Sequence, residues 1–360
     1  MTGRVSGLTS AYVRALREVI EGAAPQCGLG LPVRASTTLA GAAMLVERGG
    51  HAPALTIAAM ALRQSMTYPL RWVPPRLMGL GPAPFRQQAA SAVYFALARY
   101  PRRRVVTTRF GARMRCDTSD FVQRHIYQFG VWEPAITSWF EDQVRPGDTV
   151  VDIGANVGYY TLLAAHLAGA NGHVVAVEAS PAVVAMLEAN LRMNDVSGRV
   201  TVHNVAAAAS RGKIRIYDAT EGNLGKSSTV PHESTTDEGS LVDAVPVADL
   251  IEDATGVRLV KIDVEGDELS CLQGLRRTLV GMTDGASVVV EINSAHLAAR
   301  NQTTGDLYDL MGSCGYEAIW TLPNDYSPEG YVSRDRWRPE RWAGLTEGRV
   351  DVVFVKRARR

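Results

Sequence analysis

No apolar run in this 360-residue chain approaches the roughly 18 residues that a membrane-spanning helix needs. The longest candidates, Leu39 to Val46 and Ala92 to Ala98, have the length of core helices. Cysteine is scarce. Cys27, Cys116, Cys271 and Cys314 lie far apart, so no C-x-x-C pair and no zinc-type spacing exists. A chain this long does not depend on a disulfide framework, and free thiols in a reducing compartment are expected. The seven histidines (His51, His125, His166, His173, His203, His232, His296) form no metal-type pair, and no metal is expected. An apolar leader segment with a small-residue cleavage site is missing from the N-terminal stretch, so the expected location is cytoplasmic.

Lysine is missing from the first 115 residues. There sixteen Arg face three acids (Glu18, Glu21, Glu47), a charge of +13, so the net +1 of the whole chain leaves −12 for the rest. This division has two readings: charge complementarity between two packed parts, or a surface for an acidic partner such as a phosphate-bearing substrate, a carrier protein or a membrane surface. A hydrophobic content of 46% with 21% charged residues is that of a globular protein. The length suggests two domains, or one with a large extension.

Residues 1–100 read as a helical, Arg-rich extension of unknown role. Tyr12 to Ile20 is amphipathic, and Thr38 to Arg48 and Pro53 to Arg63 flank Gly49 and Gly50 as a helix–turn–helix. No second copy follows at a fixed period, which excludes a repeat array. Prolines and glycines from Pro69 to Pro84 read as a linker. Residues 101–145 read as a lead-in segment, with a hairpin over Val105 to Arg115 turning at Gly111.

From Asp148 strands and helices alternate. Strands are expected at Thr149 to Ile153, His173 to Val177, Val200 to Val205, Lys213 to Tyr217, Val257 to Ile262, Val288 to Ile292, Tyr316 to Trp320 and Val350 to Val355. Helices are expected at Tyr160 to Leu167, from Ser180-Pro181 through Leu191, at Asp267 to Leu279 and around Leu307 to Cys314. Such alternation predicts an α/β fold with a mostly parallel sheet covered on both faces.

The segment DIGANVG (Asp152–Gly158) follows the first of these strands directly. Gly154 and Gly158 permit a sharp turn and close approach of a ligand, and the helix that follows presents unpaired N–H groups. A dinucleotide-binding loop would read G-x-G-x-x-G. Here Asn156 holds the central glycine position, and Asp152 precedes the first glycine by two residues. A carboxylate there suits a cationic amino group and a sulfonium, which points to the methionine end of S-adenosylmethionine rather than to a pyrophosphate. Glu178 ends the next strand, 24 residues after Gly154, where an acid binds ribose hydroxyls. Asp263 and Glu291 end two further strands. Four strand-end acids therefore line one crevice, the place where open α/β sheets bind ligands.

Four stretches together resemble the FkbM-type methyltransferase family: GVWEP (Gly130–Pro134), GDTVVDIGANVGYYT (Gly147–Thr161), GNLGKSS (Gly222–Ser228) and LVKIDVEG (Leu259–Gly266). The resemblance covers about residues 105–355. It implies a Rossmann-like class I methyltransferase sheet of seven strands over residues 146–360, one strand antiparallel near the end. The implied cofactor is S-adenosyl-L-methionine. The implied reaction is mostly O-methylation of sugars, lipids or secondary metabolites. By the same resemblance Asp152, Gly154, Asn156 and Gly158 hold the methionine part and Glu178 the ribose. Asn204 and Val205 lie near the adenine, and Asp263 near the transferred methyl.

An alcohol nucleophile must lose its proton, and Asp263 is the first candidate base, with Glu265 and Glu133 as alternatives. Lys261, on the strand face of Asp263, would orient the acceptor oxygen or pair with an acid. Trp132 and Glu133 belong to the acceptor side; His125, Tyr159 and Tyr160 are further candidates for contact. Two rivals stay open: an NAD(P)-dependent oxidoreductase, and a non-catalytic module that keeps the fold and binds a partner. Nucleic-acid methylation is disfavoured, because no base-flipping motif of the Asn-Pro-Pro-Tyr kind is present.

Overall fold

The computed structural model describes residues 83–219, 222, 238–323, 325–333, 337–344 and 347–358. The helices expected over residues 1–82, and most of the Gly222–Ser228 motif, lie outside the described residues. Compactness divides the chain into Met1–Ala92 and Val93–Arg360, and the account below concerns the second unit.

After helix α1 (Ala83–Arg99) comes the expected hairpin, β1 (Arg103–Thr107) and β2 (Arg113–Asp117), antiparallel about Gly111. Two helices not anticipated from the sequence follow. The first, α2 (Phe121–Phe129), is capped at both ends: the Asp120 carboxylate accepts from the Gln123 N–H, and Gly130 ends it at φ +70°. The second, α3 (Pro134–Gln143), opens with Pro134 after Glu133, whose φ is +39°. Both are short; α2 carries a clear 3.6-residue apolar pattern, whereas that of α3 is weaker.

The main unit then runs β3 (Thr149–Ile153), α4 (Tyr159–Ala168), β4 (His173–Val177), α5 (Pro181–Arg192), β5 (Val200–His203), β6 (Ala206–Ala207), β7 (Gly212–Ile216), β8 (Ser240–Val245), β9 (Val257–Ile262), α6 (Glu268–Gly281), β10 (Ser287–Asn293), α7 (Ser294–Ala299), α8 (Thr304–Ser313), β11 (Tyr316–Leu322), α9 (Pro328–Val332), β12 (Glu340–Arg341) and β13 (Arg349–Lys356). The central sheet has the order β12-β11-β13-β10-β9-β3-β4-β5. Strands β5, β4, β3, β9 and β10 are parallel, and β13 inserts antiparallel to both neighbours. This is the expected class I methyltransferase sheet, with two differences. The two-residue strand β12 adds an eighth member at the edge. The third strand, expected to reach Val205, stops at His203; β6 then leaves to pair with β8 in a separate three-stranded sheet.

Strands β3 (TVVDI) and β4 (HVVAV) are buried along nearly their whole length, as strands covered on both faces must be. On one face Val150, Ala176, Leu259, Val289 and Val353 pack with Phe140 of α3, Leu163 of α4 and Leu187 of α5. On the other, Val151, Val260, Val290 and Phe354 pack with Leu272 and Leu275 of α6 and Met311 of α8. The chain steps outward from β3 through β4 to β5, then returns to β9 on the other side of β3. The crevice at that reversal is the preferred ligand position of an open α/β sheet.

Register puts an unusual set of side chains on the face covered by α3 and α4. Asp152 stands beside Lys261, Lys261 beside Val289, and Glu291 directly opposite Asp351. Successive side chains alternate between faces, so Asp152, Lys261, Glu291 and Asp351 share one side at the carboxyl end of the sheet.

Gly154 makes the strand crossing possible. Its φ is +78°, and a Cβ there would fall 1.8 Å from the Asp263 carbonyl oxygen. Gly154→Ala should cost at least ~2 kcal/mol and lower the melting temperature by roughly 4–8 °C. Gly111→Ala, with φ +91° and no atom within 4 Å, should lose only about 1 kcal/mol. Equal melting points for the two variants would contradict the crossing.

Candidate active site

The loop after β3 is built from three left-handed residues. Gly154 donates to the Val177 carbonyl at 2.9 Å, which ties the loop to β4. Asn156, at φ +50°, accepts from the Val157 N–H with its own side chain at 2.7 Å, a local bond that supports this backbone shape. Gly158, at φ +92°, begins α4, and a Cβ there would meet Leu187 Cδ1 at 2.4 Å. Asp152 lies behind this loop, fully buried. Its Oδ2 accepts from the Thr161 hydroxyl at 2.6 Å, while its Oδ1 has no hydrogen-bond partner. Burial raises its pKa, with Lys261 pulling the other way.

Glu178 stands at the end of β4, partly buried. One oxygen accepts from the Asn156 N–H and the other from the Ser180 N–H, each at 2.9 Å. Burial pushes this carboxyl up, against the backbone N–H groups that favour the charged form. The sequence signals for Glu178 and Asn156 thus converge on one contact. Asn204 donates to the carbonyls of Glu178 and Ala179 at 3.0 and 2.9 Å, fixing the turn beside that acid. Val205 follows on the same turn and packs against the second core cluster.

Lys261 is the centre of the crevice. The residue is 3% exposed, and its ammonium donates to Asp263 Oδ2 at 2.9 Å and lies 4.9 Å over the Tyr160 ring. Burial disfavours its charge, but Asp263, Glu133 and Asp152 outweigh that and hold its pKa above the ordinary lysine value. Lys261 thus pairs with Asp263. Asp263 keeps its second oxygen for another partner.

Glu133 approaches Lys261 from the opposite wall. It is 3% exposed and accepts two phenolic hydrogens, from Tyr160 at 2.9 Å and Tyr326 at 2.7 Å. Its backbone N–H donates to Tyr331 at 3.1 Å. Burial raises its pKa, opposed by Lys261. Its positive φ is strain of the kind that persists where surrounding contacts over-determine a position. Trp132 stacks on Tyr326 at 5.3 Å. Glu133, Pro134, Pro323, Asp325, Tyr326, Tyr331 and Trp337 line a cavity on this side.

His125 is fully buried beside Phe121, Trp132 and Tyr331, its ring nitrogens 2.8 and 3.1 Å from the Phe121 and Tyr326 carbonyls. Burial lowers its pKa to about 4, against the two carbonyls, which favour the protonated ring. Tyr159 is likewise turned into the core, against Thr137.

Glu265 forms the turn after β9 at φ +49°, and a carboxylate oxygen of each of Asp263, Glu265 and Glu291 lies within 4.8 Å of the others. Arg349 pairs with Glu291 and lies over the Tyr326 ring. Thr161, Tyr326, Tyr331, Arg349 and Asp351 were missed by sequence reasoning. Asp351 alone carried a signal, as an acid inside an otherwise apolar strand.

With this geometry in hand, residues 152–318 match the methyltransferase FkbM domain. The tRNA wybutosine-synthesizing protein 2 homolog of Danio rerio is 52% identical over 58 residues, 16% of this chain and 14% of that protein. The arsenite methyltransferase of Halobacterium salinarum is 24% identical over 204 residues, 52% of this chain and 41% of that protein. The 31-O-demethyl-FK506 methyltransferase FkbM of Streptomyces tacrolimicus is 27% identical over 200 residues, 48% of this chain and 70% of that protein. The chain thus spans less than half the length of the first two. The matched stretch begins at Asp152 and takes in the glycine loop, Glu178, Lys261, Asp263 and Glu291, so the chain carries an FkbM-type methyltransferase domain.

Proposed function

We propose that this domain uses S-adenosyl-L-methionine to methylate a hydroxyl oxygen of a small-molecule, glycan or lipid acceptor. The observation that carries the reading is Asp152 Oδ1, a buried carboxylate oxygen without a hydrogen-bond partner directly behind the glycine loop. Such an atom fits a ligand that brings positive charge to the loop. Glu178 adds a second point of fit, a partly exposed acid already oriented by backbone N–H groups. When bound, the cofactor supplies an electrophilic methyl group on a cationic sulfur.

The residues divide the remaining work. Asp152, Gly154, Asn156 and Gly158 hold the methionine part, Glu178 the ribose, and Asn204 and Val205 the adenine side. Asp263 takes the hydroxyl proton on the oxygen not held by Lys261. Lys261 stays charged and keeps that carboxylate ionised and oriented. Glu133 and Trp132, with Tyr326, shape the acceptor side, and Glu265 stands as the second carboxylate at the same turn.

Oxygen as the acceptor atom is supported by the relative named for a 31-O position. Arsenite chemistry, in the other relative's name, finds no reactive thiol among the described residues. Cys116, Cys271 and Cys314 are buried, and burial raises the Cys116 thiol to about 12 and the Cys271 thiol further. The oxidoreductase reading is disfavoured by Asn156 at the central glycine position. The non-catalytic reading is disfavoured by the ordered Lys261–Asp263 pair, and an acidic partner for the Arg-rich N-terminal part remains a separate proposal.

Methyl-tritiated S-adenosylmethionine offered with hydroxyl, amine and thiol acceptor panels should label the hydroxyl panel; exclusive labelling of amines or thiols would refute O-methylation. In the same assay Asp263→Asn should reduce kcat by about 10²–10⁴-fold. KM for S-adenosylmethionine should stay within about threefold. Unchanged turnover in that variant would remove Asp263 as the base.

A further inference from the structure

Six carboxyl groups, those of Glu133, Asp152, Asp263, Glu265, Glu291 and Asp351, gather at the carboxyl end of the sheet, and among the described residues the cations Lys261 and Arg349 pair with two of them. Each pairing recorded for these cations engages one carboxylate oxygen: Lys261 holds Asp263 Oδ2, and Arg349 holds Glu291 Oε1. One oxygen from each of Asp263, Glu265 and Glu291 still lies within 4.8 Å of the others. Hard divalent cations take oxygen ligands at about 2.0–2.6 Å, so ligands on opposite sides of one ion are separated by about 4–5 Å. The spacing of the three acids fits a single ion.

An independent observation comes from the neighbouring strand. Asp351 is 3% exposed, and its Oδ2 has no hydrogen-bond partner. It sits directly opposite Glu291 in the β10–β13 pair, so both side chains leave the sheet on the same face. A buried carboxylate oxygen with no donor beside a carboxylate cluster needs a cation or a proton.

We propose that Asp263, Glu265 and Glu291, with Asp351 behind them, form a binding site for one divalent cation of the Mg²⁺, Mn²⁺ or Ca²⁺ class. An all-oxygen donor set selects this class over zinc or copper. The ion would stand beside the acceptor side of the crevice, where it would polarise a hydroxyl oxygen, lower its pKa and orient a second oxygen next to it; with the ion in place Asp263 serves as a ligand and the hydroxyl proton leaves to solvent. The acceptor class this implies is a compound with two adjacent oxygens, a vicinal diol or a hydroxy-carbonyl. That role for the ion rests on the methyltransferase reading; the site itself does not.

The test is titration of chelator-treated full-length protein with Mn²⁺ alone, followed by calorimetry and by loss of the free-ion paramagnetic signal. One ion per chain should bind, with a Kd on the order of 10 µM. Glu265→Gln, on a partly exposed turn, and the near-isosteric Asp351→Asn should each weaken binding at least about tenfold. Glu188→Gln, an exposed acid on α5, should not. No binding to the folded protein, or binding indifferent to Glu265→Gln and Asp351→Asn, overturns the site. S-adenosylhomocysteine binding is measured on the same samples. Its presence without Mn²⁺ binding refutes only the ion; Mn²⁺ binding without it refutes only the methyltransferase role.

Discussion

A lysine ammonium buried in the middle of the sheet is the constraint on which the site depends. Removing Lys261 from water costs several kcal/mol, and the cost is met only because carboxylates surround it. Asp263 supplies the direct bond, Asp152 sits one strand away at the same level, and Glu133 closes from the opposite wall. Each of these acids is also partly or wholly buried, so none is comfortable without the lysine. The result is a mutually dependent cluster in which three carboxyl groups surround one ammonium. An acid-rich crevice of this kind suits a ligand that carries positive charge, as the proposed S-adenosylmethionine does at its sulfur.

Strained backbone holds this cluster in place. Gly154 lets β3 turn beneath the Asp263 carbonyl, where no side chain fits. Asn156 and Glu265 adopt left-handed φ at the two turns that meet there, and Glu133 does so at the start of α3. Three of these four positions carry a side chain where glycine would be easier, and in Asn156 that side chain bonds its own loop. The loop thereby keeps its shape without a third glycine, and its N–H is left to hold Glu178.

Much of this was legible in the sequence because parallel strands buried on both faces announce themselves as short apolar runs. Thr149 to Ile153, His173 to Val177 and Val257 to Ile262 match the observed strands residue for residue. The acids at the ends of these strands were equally visible. Less visible were features that depend on distant partners. Val200 to Val205 reads as one strand, yet it ends at His203, Asn204 and Val205 form a turn, and Ala206 and Ala207 pair with β8 in another sheet. Two residues of the crevice, Tyr326 and Asp351, lie about 170 to 200 residues beyond Asp152 in the chain, and the loop before α9 and the antiparallel insertion of β13 bring them in. The family match ends at residue 318, so Glu133, Trp132, Tyr326 and Asp351 all fall outside it. The matched stretch holds Asp152, Glu178, Lys261 and Asp263, and the opposite wall of the crevice is built from segments on either side of it.

Calorimetric titration of the full-length protein with S-adenosylhomocysteine, with NAD alongside and Glu178→Ala as the variant, tests the account most directly. Binding in the micromolar range that disappears in the variant, with no heat from NAD, is the result the account predicts. A folded protein that ignores the homocysteine compound, or a Glu178→Ala variant that binds it as well as the parent chain, would contradict it.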